Sequence, residues 1–119
     1  MNQAAAYRVN SVSTLQPGRV IVVLYEGAIK FLRQAIIELE AGRYMEKGQR
    51  INQAVDIIQE LKCSLDSEAG GETAANLGRL YDFMIRHLCQ ANATKDAQKI
   101  QEVISLLTDL NQAWKAVTA

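Results

Sequence analysis

Apolar residues recur at helical spacing along most of the chain. Ile21, Leu24, Tyr25, Ala28, Phe31, Leu32, Ala35 and Leu39 follow the i, i+3, i+4, i+7 rule that turns one helix face toward a core. Pro17 precedes them and suits a first helical turn, where its missing N–H is no loss. Gly42 follows them, placed to end the helix in the left-handed conformation. A second helical pattern runs through Ile51, Ala54, Val55, Ile58, Leu61 and Leu65. It stops before Asp-Ser-Glu-Ala-Gly-Gly at 66–71, where two adjacent glycines make the clearest break in the chain. A third uses Leu77, Leu80, Tyr81, Met84, Leu88 and Ala91 and is interrupted by Asn92-Ala93-Thr94. Thr94 is expected to cap the next helix, with Asp96 in its first turn. The fourth pattern uses Ile100, Val103, Ile104, Leu107, Leu110 and Trp114.

Each segment is about 20 residues, or roughly 30 Å as a helix. The connections are short, so sequence neighbours should pack antiparallel. The expected fold is all-α: an antiparallel up-down four-helix bundle over residues 17–119, one domain. Residues 1–16 have no sustained period. They are expected to form an N-terminal arm with apolar points at Tyr7, Val9, Val12 and Leu15.

The apolar pattern overshoots one stripe per helix. Val20, Val22, Val23, Ile29, Ile36 and Ile37 lie off the stripe of the first helix when residues are placed at about 100° intervals. Val55 and Ile57 sit on the shoulders of the second, Phe83 and Ile85 on those of the third. Leu106, Ala113 and Val117 extend the fourth. Wide stripes are common in small bundles, and scattered surface apolar residues need no explanation. Together they leave room for a cover: the arm, or a partner that docks an amphipathic helix between the bundle's helices. Asn52 and Gln59, beside Val55, could hydrogen-bond such a partner's backbone, or could be plain surface residues.

Composition narrows the classes. In 119 residues, 13 Lys and Arg balance 13 Asp and Glu, so the formal net charge is zero. The balance holds in both halves, with seven basic and six acidic residues up to 60 and the reverse after it. No basic surplus is present to neutralise phosphates, which argues against nucleic acid. No apolar run approaches the roughly 20 residues that span a bilayer, so no membrane insertion is expected. The start, Met-Asn-Gln-Ala-Ala-Ala, lacks a signal-peptide pattern, which fits a cytoplasmic protein. Cys63 and Cys89 are expected to be free, buried thiols of a reducing compartment.

Candidate chemistry is sparse. His87 is the sole histidine, and no Glu-x-x-His motif for a di-iron site is present. His87 and Cys89 are too few ligands for zinc, and there is no phosphate-binding glycine loop. No catalytic, metal or cofactor site is therefore expected. One histidine on a four-helix bundle is also the outline of a phosphotransfer module. The context Arg86-His87-Leu88-Cys89 has no Lys in the following turn, and His87 sits at the edge of the core stripe, which favours a structural role.

The motifs in order resemble one family. The arm reads Ala6-Tyr7-x-x-Asn10-x-Val12, and the first helix carries Leu24-Tyr25-Glu26-Gly27-Ala28. Ile51-Asn52-Gln53-Ala54 is followed by Ile57-Ile58-Gln59-Glu60-Leu61, then by Gly70-Gly71-Glu72 and Leu80-Tyr81-Asp82-Phe83-Met84. Glu102-Val103, Leu106-Leu107 and Ala113-Trp114 close the series. This resembles the flagellin-specific export chaperone family, FliS, over residues 5 to 115. It departs at Gln16, where the family often has a Ser before the proline, and at Glu26, where Asp or Asn is usual.

The resemblance implies a non-enzymatic cytoplasmic chaperone. Its partners would be the disordered C-terminal region of flagellin and a component of the flagellar type III export gate. Self-association as a homodimer and a different export client stay open. Tyr7 and Val12 are the candidate arm anchors. Tyr25, Ile51, Asn52, Val55 and Gln59 are the candidate groove residues, although Tyr25 and Ile51 also suit a core.

Overall fold

The structure is a computed structural model in which residues 17–65 and 67–118 are described. Four helices follow in order: α1 (Pro17–Glu40), α2 (Tyr44–Cys63), α3 (Ser67–Thr94) and α4 (Ala97–Thr118). α1 and α3 each pack against α2 and α4, so the helices close into a ring of antiparallel neighbours. The β-branched run from Val20 to Val23 is helical. Its local strand preference yields to the apolar face that α1 buries.

All four helices feed one core. Leu32, Ile51, Ile58, Met84, Leu88, Ile100 and Leu107 are fully enclosed. Ala28, Ala35, Ala54 and Ala91 are enclosed with them, and their small side chains let the helices approach closely. The shoulders are mostly absorbed as well. Ile29 and Ile57 are buried, while Val20, Ile36, Val55, Ile85 and Leu106 pack partly buried against the core. Each helix has two neighbours in the ring, so its buried arc is wider than one stripe. Among the described residues Val23, Ile37, Phe83 and Val117 remain exposed, together with Tyr44 and Met45 at the start of α2.

The turn after α1 is built as the glycine requires. Gly42 has φ +77°, its N–H bonds to the Leu39 carbonyl at 3.0 Å, and the Arg43 N–H reaches back to the Glu38 carbonyl at 2.9 Å. These two bonds satisfy carbonyls that the helix end would otherwise leave open. The turn after α3 uses the same reach-back, with the Asp96 N–H on the Ala91 carbonyl at 3.0 Å. Here the left-handed position holds Lys95, at φ +56°, whose ammonium lies 4.0 Å from the centre of the Tyr44 ring.

Two expectations need correction. Thr94 is the last residue of α3, and its hydroxyl donates backwards to the Gln90 carbonyl. The left-handed turn at Lys95 moves the start of α4 past Thr94. Asp96 is the cap, its carboxylate accepting the N–H groups of Gln98 at 3.0 Å and Lys99 at 3.4 Å. Cys63 and Cys89 are free thiols but exposed, not buried. Cys63 closes α2, and Cys89 follows the buried Leu88 by one position, about 100° around the helix and off the core face.

The Gly70–Gly71 break is also present. Gly71 adopts φ 54° and ψ −131°, which separates the turn at 67–70 from the long helix that follows. Replacing Gly42 with Ala tests the first turn. A Cβ there meets no described atom within 4 Å, so the cost is backbone strain alone. Gly42→Ala should lower the unfolding free energy by about 1–2 kcal/mol, read from the urea midpoint at unchanged slope.

Candidate binding surface

Core stripes run out of partners at the ends of a bundle. At the end where α1 begins and α4 finishes they line an open cleft of about 380 Å³. Ile21 of α1, Leu61 of α2, Ala74, Leu77 and Tyr81 of α3, and Trp114 of α4 form its walls, with Leu65 from the α2–α3 connection. The lining is predominantly apolar. The break at Gly71 falls at this end of the bundle, and Gly70 beside it lines the cleft.

A chain of polar atoms lies under this cleft. The hydroxyls of Tyr25 and Tyr81 are hydrogen-bonded to each other, and the Trp114 side chain bonds to Tyr25. An indole N–H can only donate, so the Tyr25 oxygen accepts from it. The two phenol rings are 6.4 Å apart and inclined at 52°. Burial raises the pKa of both hydroxyls. At Tyr25 the bonds from Tyr81 and Trp114 oppose the rise, while at Tyr81 the bond to Tyr25 adds to it. The arrangement is a scaffold for neutral phenols that ties α1, α3 and α4 together beneath the opening.

The predicted site residues separate into three groups. Tyr25 and Ile51 are core residues, 0% and 1% exposed, and offer no surface of their own. Asn52 and Gln59 are exposed and Val55 is half-buried. At spacings of three and four they form one strip along α2. Tyr7 and Val12 lie outside the described residues. The cleft residues Ile21, Leu61, Leu65, Leu77 and Trp114 read in the sequence only as core. Their signal was position: they stand at the ends of the stripes, next to a double glycine.

His87 is half-buried and engaged. Its Nε2 is 2.9 Å from a Glu102 carboxylate oxygen, and its ring stacks on Phe83 at 4.8 Å. It links α3 to α4. Among the described residues no group of three His, Cys, Asp or Glu could hold a metal ion. No described helix is long and apolar enough to cross a membrane.

The family model of the flagellar protein FliS matches residues 1–119. The chain belongs to the FliS family. It is 44% identical over 110 residues to the flagellar secretion chaperone FliS of Salmonella typhimurium, spanning 92% of this chain and 82% of that protein. The Bacillus subtilis FliS is 39% identical over 114 residues, 96% of this chain and 84% of the relative. FliSB of Pseudomonas aeruginosa is 40% identical over 107 residues, 90% of this chain and 85% of the relative. Membership makes the chain a flagellar secretion chaperone, in a family without enzymatic activity.

The buried phenols give this family member a testable alkaline limit. Their folded pKa values lie above the unfolded value near 10, so the unfolded chain loses these protons first. Their contribution is complete below about pH 10 and is lost as the pH rises beyond it. Each phenol should steepen the loss by up to about 1.4 kcal/mol per pH unit. Urea midpoints from about pH 8 to about pH 11 should fall less steeply for Tyr81→Phe than for the parent.

Proposed function

We propose that the protein holds the C-terminal segment of newly made flagellin in the cytoplasm, keeps it from polymerising early, and helps hand it to the export gate. The observation that carries this reading is the full-length FliS match on a bundle whose stripes open into an apolar cleft. A segment that is disordered when free and amphipathic when bound needs such a surface. Its ordering entropy has to be offset by apolar burial. At roughly 25 cal/mol per Å², about 1,000 Å² of buried apolar area supplies some 25 kcal/mol gross. Association and ordering consume most of that. The modest net affinity suits a client that must be released.

In this reading the cleft takes an apolar face of the client. The strip of Asn52, Val55 and Gln59 guides its course along α2. Tyr25 and Ile51 act from beneath, by fixing the helices that carry the surface. The arm joins the bundle at the cleft end, since Ile21 lines the cleft one turn after Pro17. Tyr7 and Val12 are its proposed anchors, covering the cleft until the client displaces them. His87 Nε2 bonds to Glu102 and its ring stacks on Phe83, which supports the structural role for it.

Titration calorimetry against a peptide of the flagellin C-terminus tests the proposal. Binding should be saturable, and Leu77→Asp should weaken it at least about tenfold, a change of about 1.4 kcal/mol. A folded protein that binds no peptide overturns the reading. Deleting residues 1–16 should tighten peptide binding or drive dimerisation. Unchanged affinity together with unchanged mass counts against a covering arm.

A further inference from the structure

The four helices line the apolar cleft unequally. α3 supplies several residues, from Gly70 to Tyr81, whereas α4 supplies Trp114 alone among the described residues. Trp114 is half-buried, while Gln112, Ala113 and residues 115–117 are exposed. It is therefore the last inward-facing residue of α4 among those described. An indole is flat, and the torsion that turns it on its stem has broad minima. The rotamer alone thus fixes only weakly which part of the ring faces the cleft.

Tyr25 supplies what the rotamer does not. Its hydroxyl oxygen accepts the Trp114 indole N–H and is bonded in turn to the Tyr81 hydroxyl. Tyr25 is fully enclosed and stands outside the cleft lining, so it has no surface with which to touch a client. Phenylalanine would fill the same space in α1 without burying a hydroxyl. It would also leave the indole N–H without this acceptor. The consequence of the Tyr25 hydroxyl for the cleft therefore runs through Trp114, and not through a contact of its own.

We infer that Tyr25 is a positioning residue for client binding: its hydroxyl, by accepting from the Trp114 indole, holds that ring as the α4 wall of the apolar cleft. A ring already held in its bound orientation loses less freedom when a client packs against it. The inference rests on the reading that this cleft takes an apolar face of the client, and adds to it the buried group that readies the wall.

The test is a double-mutant cycle on the full chain, read by titration calorimetry with the flagellin C-terminal peptide. Tyr25→Phe should weaken binding about threefold to tenfold, the range for freeing one side chain. Trp114→Phe should weaken it too, and adding Tyr25→Phe to Trp114→Phe should cost less than about twofold more. Trp114 is the sole tryptophan, so its indole gives a single ¹H–¹⁵N signal. In the peptide-free chain that signal should move toward free indole and exchange faster with water in Tyr25→Phe. Trp114→benzothienylalanine, with sulfur in place of the N–H, leaves Tyr25 intact and should show the same loss of affinity. It decides the matter where Tyr25→Phe does not fold. Parent affinity or an unmoved indole signal in folded Tyr25→Phe overturns the inference and leaves the client reading standing. So does an equal loss from Tyr25→Phe in the Trp114→Phe background. A folded parent chain that binds no peptide overturns both.

Discussion

Every helix of this bundle must cover an apolar arc, and only its two ring neighbours are there to cover it. Along the middle of each helix the requirement is met, and residues such as Leu32, Ile58, Met84 and Leu107 are fully enclosed. At the ends it is not. The stripes continue after the neighbours have turned away, and the cleft between Ile21, Leu61, Leu77 and Trp114 is the result. A cleft made this way needs no residue type beyond those of a core. An apolar content of 49%, ordinary as a total, is therefore enough both to fill the core and to line the cleft.

The same constraint decides what was legible in the sequence. Helix existence and pairing follow from periodicity, and Gly42 could be placed because only a left-handed residue closes that turn so cheaply. The turn after α3 was misread because Lys95, a residue with no marked left-handed preference, takes the same conformation. That moves the cap from Thr94 to Asp96. Burial on the shoulders was harder still. Ile57 and Val55 look alike as flanking residues, yet one is enclosed and the other half-buried. Which shoulder faces a neighbour depends on the rotation of each helix in the ring, and a single sequence does not specify that rotation.

The candidate site divided along the same line. Tyr25 and Ile51 carry family motifs, but the fold places them in the core, where they support the surface rather than form it. Asn52, Val55 and Gln59 share a strip because their spacing is helical. The cleft is not visible in the sequence because Ile21, Leu61, Leu65, Leu77 and Trp114 obey the core pattern. Only the third dimension shows that their pattern continues past the last neighbour.

Two polar side chains are almost wholly buried, and their burial is offset unequally. Lys47 is 3% exposed, and its ammonium donates to the Asn92 carbonyl at 2.9 Å and to the Asn92 side chain. Burial, and then the nearby Lys95 charge, lower its pKa, but its hydrogen bonds hold the end of α3 against α2. Its charge sits near a helix C-terminus, where the backbone dipole favours a cation. Burial of Lys47 is therefore offset within the fold. Asn111 is buried to the same degree, and its carbonyl oxygen is offset by nothing among the described residues. Equal burial with unequal satisfaction sets Asn111 apart from Lys47.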